Sequence, residues 1–386
     1  MPGFEVFGRE EQDAINGLFN SNGGILFAHG FDAMRNGIYK VREYEKAFSE
    51  KLDFKYGQAV SSGTAALRVA LEAAGVKAGD EVITQSHTFI ATVEAIMSIG
   101  AIPVVVDIDE TLNMNPKSFE AAIGRKTRAV MPVHMLGEMA NMVEISHIAR
   151  KHGILIIEDC AQGLGASIGE KRAGSFSCVA AFSTDAGKTL NTGEGGMVLT
   201  NDQSTYLQAR SLHDHGHAYE EGTPRGLDPA VSLGFNFRMT ELQGAIGLAQ
   251  LKKFDDIVRI QRANRQSLIN SLISVACDYR QLIDPYGGAG DTLVMLAGSQ
   301  EQATKVVSRM KEKGLGTKNL PDAMKWHFAG FWGHLSGRSK KFDKALKGGW
   351  SQSAEILNRS IAVGISLKWT ASDIERISEG IISAWE

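Results

Sequence analysis

The 386 residues carry 41 Lys and Arg against 44 Asp and Glu, a net charge of −3, with 43% hydrophobic residues. This balance holds no basic excess for a nucleic-acid groove and no acidic tail, and no apolar run approaches the length of a membrane span. Cys160, Cys178 and Cys277 are odd in number and without ligand spacing, which argues against a disulfide framework and a zinc site and suits a reducing cytoplasm.

The opening MPGFEVFGREEQDAI places acids where a signal peptide would need an apolar core, so a soluble cytoplasmic protein is expected. From residue 57 to 201, strand and helix alternate. Apolar runs fall at 58–61, 81–85, 102–108, 128–135, 154–159, 178–183 and 196–200. Several are apolar throughout, as strands covered on both faces should be. Between them, Thr64–Ala74, Phe89–Ile99 and Asn141–His152 read as helices. The pattern predicts a mostly parallel sheet with helices on both faces. The last two strands are joined only by GKTLNTGEGG, which leaves room for one of them to run antiparallel. A loop rich in His and Gly, LHDHGHAYEEGTPRG, precedes a long helix over about 240–275. Beyond it, DTLVMLAG reads as a strand, and EQATKVVSRMKEKG and ASDIERISEGIISAWE as helices.

Four features at the ends of these strands suit one chemistry. Ser61-Ser62-Gly63-Thr64-Ala65 passes from a strand straight into a helix, so Thr64 and Ala65 present first-turn N–H groups to an anion, with Gly63 allowing close approach. An ordinary N-cap would use the same residues. Asp159 ends the buried run ILIIED, where it could hold a ring nitrogen protonated, and Gln162 follows about a turn later. Its alternative is to cap the next helix. Phe89 could stack on an aromatic cofactor or simply join the core. Ser183 ends another strand, and Lys188 beyond it is either a solvent-seeking side chain or a Schiff-base amine. A phosphate cradle, a ring-nitrogen acid, a stacking ring and a lysine are together the parts of a pyridoxal phosphate site. No G-x-G-x-x-G follows the first strand, which argues against a dinucleotide enzyme.

The motifs SSGTAAL, SHTFIAT, IIEDCAQGLGA, FSTDAGKTLNTGEGGMVLTND and GFNFRMTELQGAIG resemble the DegT/DnrJ/StrS sugar aminotransferases, within fold-type I pyridoxal phosphate enzymes. The resemblance implies an α/β fold: a large cofactor-binding domain with an N-terminal arm over 1–250, containing a seven-stranded sheet, and a smaller C-terminal α/β domain over 251–386. It implies Lys188 as the cofactor-linked lysine, Asp159 on the ring nitrogen, Gln162 beside the cofactor and Phe89 on its ring. Thr64, Ala65 and Ser183 would bind the phosphate. Asn236 would reach the cofactor of a neighbouring subunit in a homodimer with shared active sites, and His215 with Gly216 would approach the substrate there.

The resemblance further implies amino transfer from L-glutamate, leaving 2-oxoglutarate, to the carbonyl of a sugar. Family members that replace the lysine with histidine dehydrate deoxysugars instead; Lys188 is retained here. Asp185-Ala186-Gly187 departs from the family's usual residues before the lysine and marks Asp185 as a substrate-pocket residue. The HDHGHAYEEGTPRG insertion is similar to enzymes that aminate carbon 8 of 3-deoxy-D-manno-octulosonate (Kdo) for lipopolysaccharide, which implies oxidised Kdo as substrate. A nucleotide-linked keto sugar, and sugar dehydration, are the alternatives. A carboxylated sugar needs a clamp, for which His213, His215, His217, Arg238, Lys325 and His327 are the candidates.

Overall fold

The computed structural model describes residues 2–386. Two helices, α1 (Arg9–Ser21) and α2 (Lys40–Lys51), lead into β1 (Tyr56–Val60) and α3 (Gly63–Ala73). Next come β2 (Glu81–Gln85), α4 (Ala91–Ser98), β3 (Ile102–Val106), β4 (Thr127–Met131), α5 (Met142–His152) and β5 (Leu155–Asp159). Two fully buried strands follow, β6 (Val179–Ser183) and β7 (Gly196–Thr200). The seven strands form one sheet in the order β1-β7-β6-β5-β4-β2-β3. All are parallel except β7, which runs antiparallel to both β6 and β1.

Continuous apolar strands make sense in this sheet because both faces are covered. Ile83, Val130, Ala180 and Phe182 turn to a core with Tyr44, Phe48, Phe254 and Ile257. Their neighbours Val82, Ala129, Ile157 and Ala181 turn to the opposite core with Leu67, Val69 and Leu71 of α3. The period of two along a strand thus feeds two separate cores.

Two of the expected elements are shorter than read. The run 128–135 leaves the sheet ladder at Met131 because Pro132 has no N–H to donate. Residues 133–134 still follow β5, through Asp159 N–H to Pro132 O and His134 N–H to Asp159 O. The helix expected from Phe89 begins at Ala91 instead. Thr88 and Ile90 spend their N–H groups on the carbonyls of His327 and Trp326, which holds this stretch in a tertiary contact rather than a first turn.

After α6 (Gln203–Leu212) and the histidine-rich loop, α7 (Glu241–Ser271) runs for 31 residues from a capping box between Thr240 and Gln243. A division between residues 250 and 251 falls inside this unbroken helix. Its last turns pack Leu268 and Leu272 under an antiparallel sheet of β8 (Asp278–Tyr279), β9 (Thr292–Leu296) and β10 (Ser360–Gly364). The helices α8 (Gln300–Glu312) and α9 (Ala371–Trp385) cover the same core. No helix among the described residues is long and apolar enough to cross a membrane.

The start of α7 lies against α2 because two glycines leave room. A Cβ on Gly244 would stand 2.6 Å from Val41 N, and one on Gly247 would stand 2.6 Å from the Tyr44 ring. Beside them Arg35 and Glu241, both without exposed side-chain surface, form an ion pair at 3.1 Å. Gly247→Ala should therefore force Tyr44 out of place and lower stability by about 1–3 kcal/mol, the usual cost of overpacking. A urea unfolding midpoint equal to that of the parent protein would show that the contact yields freely.

Burial pushes the His87 imidazole down from 6.5 to about 3, although its bond to the Leu112 carbonyl favours the charged form. Between these values the unfolded chain binds the extra proton, so stability falls as pH falls from about 6.5 toward 3. His87→Gln should flatten that slope in urea titrations at pH 7, 6 and 5; an unaltered slope would assign the loss to other groups.

Candidate active site

Six strands point the same way, and five of them deliver chemistry-bearing residues to one edge of the sheet. Beyond the ends of β1, β2 and β4 lie Gly63, Phe89 and Val133, while β5 and β6 end on Asp159 and Ser183 themselves. These residues, with Thr64, Thr92, Gln162, Asp185 and Lys188, line a cavity of about 300 Å³. A wider cavity of about 700 Å³ shares Phe89, Gln162, Asp185 and Lys188 and extends to Pro2, Glu5, Asp291, Lys318, Asn319 and His327.

Asp159 is the best-determined member. It is 2% exposed; its Oδ2 accepts from Thr92 Oγ1 at 2.7 Å and its Oδ1 from Ala161 N–H at 3.1 Å. Burial raises its pKa, and these two hydrogen bonds, with the charges of Lys188 and His134, oppose the rise without cancelling it. A cation brought against this carboxylate would relieve a desolvation cost that the protein leaves only partly met. Thr92 in turn shares a 2.6 Å hydrogen bond with Thr88. The sequence does not reveal Thr92, because a threonine in a helix of apolar residues reads as core.

Lys188 keeps a fifth of its side chain exposed and stands 3.7 Å from Asp185 Oδ2. Asp185 is itself turned back on its loop, accepting from Gly187 N–H at 2.6 Å and facing Ser183 Oγ at 3.3 Å. The strand–turn–strand of β6 and β7 presents the lysine: Thr184 N–H bonds Gly195 O and Ala186 N–H bonds Gly193 O, so the turn is a rigid extension of the sheet.

The start of α3 differs from the sequence reading in one respect. Ala65 N–H is taken by Ser62 Oγ at 3.1 Å, the ordinary N-cap bond, so Ala65 has no free amide for an anion. The N–H groups of Gly63 and Thr64 have no acceptor among the described residues. The reason for glycine at 63 also changes: a Cβ there would lie 2.7 Å from Ser183 Cβ, so the residue permits contact between α3 and β6 as much as approach of a ligand.

Phe89 is 43% exposed, with its ring open to the cavity and a tilted contact to His327 at 5.4 Å between centroids. An apolar ring left open beside buried polar groups is unusual unless something covers it. His327 is buried and bonds the Ala323 carbonyl through Nδ1 at 2.9 Å. Burial, with the Lys188 charge, keeps its pKa low despite that carbonyl, so the imidazole is neutral and Nε2 carries the lone pair. Across the wider cavity Lys318 pairs with Asp291 at 2.5 Å. Burial raises the Asp291 carboxyl, but Lys318 outweighs it and holds the group below its usual range. Neither residue stood out in the sequence, since the segments that carry them lie far from the motif-bearing strands.

The other candidates line neither of these two cavities, although His213 borders a separate one of about 460 Å³. Arg238 is bonded to the buried Asp214, which also takes Arg225 in a two-pronged contact at 2.5 and 2.6 Å. His213 bonds the Arg210 carbonyl and lies against Gln58, and His217 bonds Asp228 at 2.9 Å. His215 is exposed at φ 53°, and Lys325 and Asn236 are exposed as well. The histidine-rich insertion is thus organised around a buried carboxylate, a partner no spacing rule discloses.

Over residues 32–381 the chain matches the DegT/DnrJ/EryC1/StrS aminotransferase family, and it belongs to that family. It is 43% identical over 217 residues to GDP-perosamine synthase of Caulobacter vibrioides, a stretch covering 56% of this chain and 57% of that protein. The similarity to GDP-perosamine synthase of Escherichia coli O157:H7 is 38% over 250 residues, 64% of this chain and 67% of the relative. The first of these matches therefore spans little more than half of the relative's length. Among solved structures, the aminotransferase from Psychrobacter cryohalolentis superposes with a TM-score of 0.81 at 28% identity, covering 97% of this chain and 96% of its own. The fold is that of fold-type I pyridoxal phosphate aminotransferases.

Pyridoxal phosphate is the cofactor of this fold, and the residues fit it. The open N–H groups of α3 suit a phosphate, the exposed Phe89 ring suits a flat heterocycle, and the undercompensated Asp159 suits a protonated ring nitrogen. Thr92→Val removes a hydrogen bond to a carboxylate, a contact worth about 1.5–3 kcal/mol. It should raise the Asp159 pKa and weaken cofactor affinity roughly 10- to 100-fold by the same principle, read by absorbance titration with pyridoxal phosphate. Equal affinity would remove Thr92 from the site.

Proposed function

We propose that this chain moves an amino group from L-glutamate to the carbonyl of a nucleotide-linked sugar, releasing 2-oxoglutarate. The placement of Lys188 in one cavity with Asp159, Phe89 and the open turn of α3 carries the reading. The two GDP-perosamine synthases support the nucleotide-linked class of acceptor.

When bound, the cofactor supplies an aldehyde for linkage to amines and a ring that accepts electrons. Gly63, Thr64 and Ser183 would hold its phosphate, Phe89 would cover its ring and Gln162 would lie at its edge. Asp159 would keep a proton on the ring nitrogen, oriented by Thr92 and the Ala161 amide. Lys188 Nζ would remove the proton from the amino donor's carbon in one half of the cycle and deliver one to the sugar carbon in the other. The exchange balances as amine plus carbonyl giving carbonyl plus amine, with no outside oxidant. Cavity walls from two sheets would exclude water from that carbon.

A second acceptor is favoured by one observation. Lys318 lines the wider cavity, and a carboxylated sugar such as oxidised Kdo would share its ammonium with Asp291, to which it is already paired. Amination at carbon 8 of that sugar, in lipopolysaccharide synthesis, is the second reading. The active unit is proposed to be a homodimer, with the exposed Asn236 reaching the partner's cofactor; Phe31, Val231 and Leu233 leave apolar surface exposed in the same arm and loop regions.

Protein incubated with L-glutamate and a panel of nucleotide-linked keto sugars and oxidised Kdo should give an aminated product by mass. Product from Kdo alone would select the second reading, and loss of water without gained nitrogen would identify a dehydratase. Lys188→Ala should fold with the parent's circular dichroism but show turnover reduced by several orders of magnitude; full activity in that variant would end the assignment.

A further inference from the structure

Residues 2–5 precede the segment matched by the family, which begins at residue 32, yet they border the same cavity as Lys188. We propose that this N-terminal arm is a wall of the substrate cavity and selects the sugar acceptor, an inference that rests on the aminotransferase reading above.

The arm is fastened at two points. Gly3 N–H donates to the Lys188 carbonyl at 3.1 Å. Glu5 Oε2 accepts from Ser366 Oγ at 2.9 Å and from Leu367 N–H at 2.6 Å. One end is therefore tied to the lysine loop of the large sheet and the other to the chain leaving β10 of the small one. The fit at Gly3 is close, since a Cβ there would lie 2.8 Å from Asn191 Cβ and 3.0 Å from Lys188 O. A segment held this tightly across two sheets is a fixed surface.

Its position separates the two substrates. Both must present a carbon to Lys188, but a sugar continues further into the wider cavity, whose lining includes Pro2, Glu5, Asp291, Lys318 and His327. Polar side chains in that lining, among them Thr317 and Asn319, exchange hydrogen bonds with hydroxyls, so the space suits a polyhydroxylated acceptor. A short amino acid donor meets far less of the arm. The arm is thus a specificity element, and Gly3 a positioning residue that sets its distance from the lysine loop.

The test compares wild type, Gly3→Ala and Glu5→Ala holoenzymes in separate half-reactions. The half with L-glutamate is followed by cofactor absorbance, and the half with sugar by aminated product. Each variant should lose at least 10-fold more kcat/KM toward sugar than toward glutamate. Equal losses in both halves, or an unchanged sugar kcat/KM, would overturn the proposal. Amide hydrogen exchange provides a readout independent of turnover: Leu367 should exchange faster in Glu5→Ala, and the panel's acceptor sugar should slow exchange of the arm in wild type. If wild type aminates no sugar, the aminotransferase reading fails, and the arm is judged by exchange alone; absence of protection by every sugar would then overturn it too.

Discussion

A carboxylate at the end of a covered strand governs this site. Asp159 belongs to β5 and has almost no contact with water, so its charge is costly by several kcal/mol unless partners supply compensation. The protein supplies two hydrogen bonds, with Lys188 and His134 acting from further off, and the pKa remains raised. That residual cost gives a cationic ring nitrogen a reason to bind there. The parallel order places Asp159 one strand from Ser183 and above Thr92, so the same topology that buries the acid surrounds it with the other reacting parts.

Close approach is the second constraint. Gly63 lets the first turn of α3 touch Ser183, and Gly163 leaves room for His134, whose Nε2 meets Glu158 at 2.9 Å behind the acid. Glu158 also accepts the N–H groups of Gly174 and Phe176, so this buried neighbour of Asp159 is fully engaged in structure. Two adjacent acids on β5 point to opposite faces and so serve different ends. One braces the sheet, and the other is left open to the cavity.

Much of this was legible along the chain. The unbroken apolar runs disclosed strands covered on both sides, and the short GKTLNTGEGG link left room for the reversal that falls on β7. Lys188, Asp159 and Phe89 stood out because each is odd for its place: a lysine between buried strands, an acid ending an apolar run, an aromatic after a polar turn. Ala65 misled, since its amide looked free until Ser62 was seen to cap it. Arg238 and His215 lie away from the Lys188 cavities for another reason: their surroundings depend on Asp214 and on a loop whose path no local pattern specifies. Thr92, Asp291, Lys318 and the arm at residues 2–5 carry no signal of their own, being common residues placed by distant packing.

The sequence by itself determined the layered α/β architecture, because strand burial and helix formation follow from residue patterns a few positions long. It also determined which residues can do the chemistry, because an amine, an acid and an open first turn are properties of side chains and local backbone. Tertiary structure alone decided which of them meet, what the cavity walls are and which candidates are taken up elsewhere. Gly3 lies 185 positions from Lys188 and Glu5 more than 360 from Leu367. Contacts across such separations arise only when two sheets close on each other, which no pattern a few residues long encodes.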